Sequence, residues 1–335
     1  MTDRTTTGHT SQGDGGPGRT SRRAVLGAAA AVPLAGAVAG CQMRAGVAGS
    51  NGDRSPFTGE QGRGGKVLAV KIDNIRSARP SVGLERADIV YAEQVEAGLS
   101  RLMAVFSSRF PRRVGPVRSA RESDLELLRQ FGRPILAYSG VQSKLQPALD
   151  AAPLTPLIPE KTKGVYERSA ERSSPHNLFL KPDQALRAAP KAGDAADIGF
   201  RFGPAPSGGR AASHRSVRFP DARFDFDWSA RSGRWLVSMD GSPAKSENGP
   251  RLGAATVVLQ HVKIRSSSLR DVNDEVSPYS ETVGSGRAVV LRDGKAYEGR
   301  WSRPSPADGT RFTGQDGRSL PFARGPVWVV LAPAE

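Results

Sequence analysis

Apolar positions follow two different rules along this chain. From Lys66 to about residue 205, short apolar runs are interleaved with helix-like stretches. Beyond residue 213 the helix-like stretches vanish and strand-like runs follow one another. Lys66-Val67-Leu68-Ala69-Val70-Lys71-Ile72 reads as a buried strand, closed by a turn at Asp73-Asn74. Ile89 to Val95 and Leu102 to Ser107 read as an antiparallel pair about a turn at Glu96-Ala97-Gly98. Ser119-Ala120-Arg121-Glu122 has capping-box spacing ahead of Leu125, Leu127, Leu128 and Phe131, which predicts a helix capped by Ser119. Pro134 to Tyr138 is a further strand and Gln142 to Ala151 a helix. Residues 152–177 read as irregular, and a last short helix begins at Lys181-Pro182, with the proline suited to its first turn.

The second half predicts strands at 217–219, 224–228, 235–239, 256–264, 288–291, 296–301 and 327–331. Arg292-Asp293-Gly294-Lys295 is a two-residue hairpin signal, because Asp-Gly tolerates the positive φ of a tight turn. Asp240-Gly241 and Asp316-Gly317 read as turns of the same sort. The expected fold class is therefore mixed α/β or α+β. A mixed α/β domain over residues 66–205 is followed by a small, mostly antiparallel β domain over 213–335, and the Gly/Ser/Pro-rich stretch 203–216 joins them.

The first 65 residues carry an address. Ser21-Arg22-Arg23, an apolar run from Ala24 to Ala39 and then Val38-Ala39-Gly40-Cys41 have the form of a twin-arginine export leader ending in a lipobox. Residues 1–40 read as the leader, and Cys41, the only cysteine, as the acylated residue. Residues 41–65 read as a flexible tether. The apolar run contains Gly27, Pro33 and Gly36 and is short for a span of about 20 residues. The expected location is the outer face of a bacterial cytoplasmic membrane, held by a lipid anchor; the general secretory route stays open beside the twin-arginine one.

Charge narrows the partners. The chain carries 48 Lys+Arg against 33 Asp+Glu, a formal net charge of +15, and cleavage of the leader removes four arginines and two aspartates. Outside a cell such a surplus favours an anionic wall polymer or a lipid headgroup, with an envelope protein as a further expected partner. Basic helices with interleaved aromatics are absent, so nucleic acid is not expected. With Cys41 acylated there is no thiol for a disulfide or a nucleophile. His176, His214 and His261 lie at no metal-ligand spacing, so neither metal nor cofactor is expected.

Several strings together resemble one family. They are Lys71-Ile72-Asp73-Asn74, Ala78-Arg79-Pro80, Gly83-Leu84 and Ala87-Asp88-Ile89-Val90-Tyr91, followed by Glu93, Glu96-Ala97-Gly98 and Arg101. Val114-Gly115-Pro116-Val117-Arg118-Ser119-Ala120-Arg121 and Pro175-His176-Asn177-Leu178 continue the match. In the second half it runs from Gly284-Ser285-Gly286 through Asp293-Gly294-Lys295 to Gly299-Arg300-Trp301 and Trp328. This set resembles the YerB-like family of bacterial lipoproteins over nearly all of residues 66–335. The resemblance implies a two-part domain of unknown function on an envelope lipoprotein, and it brings no reaction with it. Ala92 departs from the family, in which two consecutive acidic residues are expected at 92 and 93.

Two constellations carry candidate chemistry. Arg118, Ser119 and Arg121 stand at an expected helix start, where free amides and guanidinium groups suit phosphate or carboxylate, and Arg101 heads the second hairpin strand beside them. The competing expectation is that Glu93, Glu96 or Glu122 neutralises these arginines internally. Asp73, Glu93, Glu96 and His176 form the second set. Read as an enzyme, Glu93 or Glu96 with His176 would hydrolyse or transfer a wall polymer; read otherwise, each is locally paired. No catalytic residue is assigned. Ser242-Pro243-Ala244-Lys245 has an S-x-x-K form in a turn context, and Trp228, Trp235, Trp301 and Trp328 sit where core residues of a β domain would. The expected function is an anchored, non-enzymatic binder of an anionic envelope ligand or partner. A wall hydrolase and an edge-strand docking protein are the alternatives.

Overall fold

Strand Leu68–Asp73 (β1) is buried at every position. Such a run has to lie between two covered faces, and the whole architecture follows from that. The computed structural model describes residues 54–247, 249–271 and 274–334. The expected leader, Cys41 and the tether up to residue 53 lie outside the described residues.

In chain order the remaining strands of the first half are Ile89–Gln94 (β2), Ser100–Phe106 (β3), Ile135–Ala137 (β4), Thr155–Leu157 (β5), Tyr166–Arg168 (β6) and Leu178–Leu180 (β7). The helices are Glu122–Leu128 (α1), Gln146–Ala151 (α2) and Pro182–Ala188 (α3). The second half holds Arg210–Ala211 (β8), His214–Phe219 (β9), Ala222–Ser229 (β10), Arg234–Met239 (β11), Ser242–Pro243 (β12), Gly253–Ala254 (β13) and Thr256–Val262 (β14). It continues with Ile264–Arg270 (β15), Val276–Ser280 (β16), Gly284–Arg292 (β17), Lys295–Arg303 (β18), Arg311–Gly314 (β19) and Val327–Pro333 (β20). The expected class holds: mixed α/β first, mostly antiparallel β second.

Among the described residues eleven strands form one sheet, ordered β19-β18-β17-β14-β20-β2-β3-β1-β4-β5, with β8 added on β18. The two halves meet inside this sheet. β2 runs parallel to β20, with Ile89 opposite Val327 and Ala92 opposite Val330. A boundary near residues 205–213 therefore divides the sequence but not the hydrogen-bonded sheet. The expected linker also contributes to pairing, through β8 and the start of β9.

Alternate positions of the central strands feed two cores. Leu68, Val70 and Ile72 face one that also contains Phe224, Phe226, Trp235 and Trp328; here the smaller sheet β12-β11-β10-β9 covers the large one. Ala69, Tyr91, Met103 and Val105 face the other, with Leu127, Leu128 and Phe131 from α1 and its continuation. Trp235, Trp301 and Trp328 are core residues, as expected, and Trp228 is half-buried against Trp235. The Asp293-Gly294 hairpin joins β17 to β18 with Arg292 opposite Lys295, and both turn residues have positive φ, as that turn requires.

Three expectations need correction. Residues 152–177, expected to be irregular, contain the short strands β5 and β6, each only three residues long. Residues 54–65 are not tether: Phe57 is fully buried with its ring 5.4 Å from Phe131, and Arg54 bridges Gln61. Buried Ser55 and Thr58 and the Gly65 N–H bond to the Ser107 carbonyl at 2.8 Å fix the segment together with Phe57. The helix after residue 118 begins later than expected. Its cap residue is Arg121 in place of Ser119, and the Arg121 backbone N–H donates to Asp124 Oδ2 at 2.6 Å, the N3 role that the expected box gave to Glu122. Among the described residues no helix is long and apolar enough to cross a membrane.

Candidate functional site

The site grows out of strand register at the end of β1. Asp73 lies opposite Arg101 across the β1–β3 pair, and Glu93 lies opposite the same Arg101 across β2–β3. Residues two apart on a strand share a face, so Lys71 joins them, and that face is covered by α1. The sequence thus puts four charged residues on one patch of a largely buried sheet. Each charge must then find a partner or remain exposed.

Lys71 is fully buried and ion-paired with Glu93, and its Nζ donates to Asp124 Oδ1 at 2.7 Å. Burial pushes its pKa down to about 8, against the raising effect of Asp124, while Arg101 and Arg121 add to the lowering. Glu93 also accepts from Ser123 Oγ at 3.3 Å. Glu96 is taken up by Arg121, whose Nε and Nη2 donate to its two carboxylate oxygens at 2.5 and 2.8 Å. Ser277 from β16 donates to the same carboxylate at 2.5 Å. Burial works against the Glu96 carboxylate, but Arg121 and Ser277 outweigh it and hold the pKa down at about 2.

Arg121, expected to face a ligand, is thus a buried structural cation. The helix start it caps presents no anion site either. Its first turn carries Glu122 and Asp124, and α1 spans only seven residues. Ser119 is half-buried and is not the cap. Glu93 and Glu96 are 1% and 5% exposed and paired to cations, and His176 bonds neither of them, so the geometry does not assemble the Glu93/Glu96–His176 acid–base pair.

A second, more open group surrounds Asp73. Arg118 Nε lies 3.0 Å from Asp73 Oδ2, and His176 Nδ1 lies 2.8 Å from the same oxygen. On its far side the imidazole Nε2 is 3.2 Å from the hydroxyl of Ser77, an exposed residue in the short 3-10 turn Arg76–Ala78. Arg101 stands between the two groups. Its nearest carboxylate contact is Glu96 Oε2 at 3.8 Å, and Nη1 is buried without a hydrogen bond among the described residues. Burial, Arg121 and Arg118 press its pKa down to about 10, opposed in part by Glu96 and Asp73; it remains charged at neutral pH.

Of the sequence-derived site residues, Asp73, Arg101, Arg118 and His176 gather at one place, and Glu93, Glu96 and Arg121 form its buried floor. Sequence reasoning missed Lys71, Ser77, Asp124 and Ser277. Lys71 had a readable signal, a lone charge inside an otherwise apolar strand. The other three are reached only through tertiary contacts.

Comparison with known proteins bears on the family and the fold. Residues 57–195 match the family described as "Protein of unknown function (DUF3048) N-terminal domain" and residues 215–329 its C-terminal domain. The Bacillus subtilis (strain 168) protein named "Putative lipoprotein YerB" is 24% identical over 277 residues, 80% of this chain and 81% of that protein. The crystal structure of YerB protein from Bacillus subtilis superposes with a TM-score of 0.71 at 21% identity, covering 84% of this chain and 96% of that one; at this identity it speaks for the fold. Matched in both halves over well more than half its length, the chain belongs to the DUF3048 family, the family of YerB.

Proposed function

We propose that this protein is an extracytoplasmic lipoprotein, anchored through Cys41, whose folded body binds an anionic group of the cell envelope at Arg101 and Arg118. The leader pattern and the name of its Bacillus subtilis relative support the anchor. The observation that carries the binding reading is the state of Arg101. The carboxylates that could neutralise it are already committed: Glu93 to Lys71, Glu96 to Arg121, and Asp73 to Arg118 and His176. A guanidinium whose Nη1 has no hydrogen-bond partner among the described residues suits a planar or tetrahedral oxyanion. Arg101 and Arg118 against Asp73 leave one net positive charge, which matches a singly charged phosphodiester or carboxylate.

Two measurements test this reading. Cys41→Ala is expected to move the protein from the membrane to the soluble fraction; retention in detergent-free membranes would refute the anchor. Calorimetric titration with a soluble poly(glycerol phosphate) fragment is expected to show binding that Arg101→Gln weakens at least about tenfold, since a lost charge-assisted bond is worth about 1.5–3 kcal/mol. Unchanged affinity in the Arg101→Gln/Arg118→Gln double variant would refute the site. Arg101→Gln should shift stability by no more than about 1 kcal/mol. Arg121→Leu, which strands Glu96, should cost about 3–5 kcal/mol.

A further inference from the structure

We propose that Ser77, His176 and Asp73 form a nucleophile, a general base and a positioning carboxylate for acyl transfer from a carboxylic ester. The three come from separate parts of the chain: the turn Arg76–Ala78, the segment leading into β7, and the end of β1. Ser77 Oγ is 3.2 Å from His176 Nε2, and His176 Nδ1 is 2.8 Å from Asp73 Oδ2. These are the two hydrogen bonds by which an activated serine is recognised, whatever the chain order. With Asp73 accepting from Nδ1–H, the imidazole is fixed as the tautomer whose Nε2 accepts the Ser77 hydroxyl proton.

Exposure follows the same order as the roles. Asp73 is 1% exposed, the His176 side chain is 15% exposed, and Ser77 faces solvent. Asp73 is held from two further sides, by the Ile75 backbone N–H at 3.5 Å and by Arg118. It already has a cation in Arg118, so charge balance alone does not explain why a histidine is aligned on it. The molecule contains its own contrast. His214 Nδ1 is also 2.8 Å from an aspartate, Asp227, but both side chains are about half exposed and no serine hydroxyl completes the arrangement among the described residues.

In the reaction, Ser77 Oγ bonds to the ester carbonyl carbon while the C=O electron pair moves onto oxygen, and His176 Nε2 takes the hydroxyl proton. Collapse breaks the bond to the alkoxy oxygen, which leaves carrying that proton from His176. Water, the co-reactant, then attacks the acyl-Ser77 and gives a proton to Nε2. Expulsion of Ser77 Oγ, which recovers this proton, releases the carboxylic acid. Asp73 stays ionised and holds the imidazole throughout. A preference for esters bearing a negative group would rest on the anion-binding reading of Arg101 and Arg118; the triad itself does not.

The full chain, solubilised in detergent, is treated with a fluorophosphonate probe and the adduct is mapped by tandem mass spectrometry. The expected result is an adduct on Ser77 and none on the exposed neighbours Ser173 and Ser174, which serve as internal controls. Ser77→Ala removes it, and His176→Gln slows labelling at least about 100-fold with an unchanged melting temperature. Labelling of Ser77 no faster than of Ser173 and Ser174, or at an unchanged rate in His176→Gln, would overturn the proposal. Hydrolysis of neutral and carboxylate-bearing p-nitrophenyl esters separates the two readings. Turnover lost in Ser77→Ala without any preference for the charged ester upholds the triad and counts against the anion site.

Discussion

Lys71 Nζ lies 2.7 Å from Asp124 Oδ1 with both side chains fully buried, and this contact ties the central strand β1 to the helix α1. The same lysine is paired with Glu93 of β2, so a single ammonium joins three elements. Taking three charges out of water costs several kcal/mol per ion, which good geometry offsets only while all partners remain. Lys71→Met leaves Glu93 and Asp124 buried without their cation. Urea denaturation at neutral pH is expected to show a loss of about 3–5 kcal/mol. Adding Glu93→Gln and Asp124→Asn removes the stranded charges and should recover most of that loss; three independent, additive losses would contradict the coupling.

Glu96 sets an acid limit on the same region. Its pKa in the folded protein is about 2, below the ordinary value of 4.5. A depressed carboxylate contributes stability above its unfolded pKa, and that contribution fades as pH falls through the folded value. The window is therefore pH 4.5 down to about 2, and the shift amounts to about 3 kcal/mol. Melting temperatures of the wild type should fall across this window. Glu96→Gln should be less stable at neutral pH and show a flatter acid profile, and parallel profiles for the two proteins would contradict this assignment.

How much of this was readable follows from where the information lies. Continuous apolar runs gave β1, β4, β14 and β20, because a strand covered on both faces has no polar alternation to hide it. The pairing of β2 with β20 was not readable, since no local pattern relates residues 89–92 to residues 327–330. The candidate site divides in the same way. Asp73 and Arg101 were singled out as residue types, but their opposition depends on strand register, and the link from Asp73 to His176 spans 103 positions. Arg121 is taken from the site by its bidentate pairing with Glu96, 25 positions away, one of the two expectations that residue types alone leave open.

The β15–β16 ribbon was missed for a chemical reason, and that reason yields a last prediction. Ile264-Arg265-Ser266-Ser267-Ser268-Leu269-Arg270 has too few apolar positions to read as a strand, yet Ser267 and Ser277 are 7% and 2% exposed. The ribbon seats on the first half by donating hydroxyls to carboxylates. Ser267 reaches Glu122 at 2.5 Å, Ser277 reaches Glu96, and Tyr279 reaches Glu126 Oε2 at 2.8 Å. Glu126 Oε1 also accepts from the backbone N–H and the hydroxyl of Thr282, both at 2.9 Å, and from Val283 N–H at 3.2 Å. Burial, with the hydrogen bond and charge of Glu126 adding to it, pushes the Tyr279 phenol well above its usual range, so it remains a donor at any physiological pH. Glu126 is therefore the main fastening of the ribbon. Glu126→Ala should cost about 2–4 kcal/mol, because several donors lose one charged acceptor together. Tyr279→Phe, which removes a single bond, should cost about 1 kcal/mol. Amide hydrogen exchange should then speed up across residues 264–280 in Glu126→Ala before it does in β14 or β20. Uniform acceleration through the large sheet would place Glu126 in the global fold instead of at the ribbon's seat.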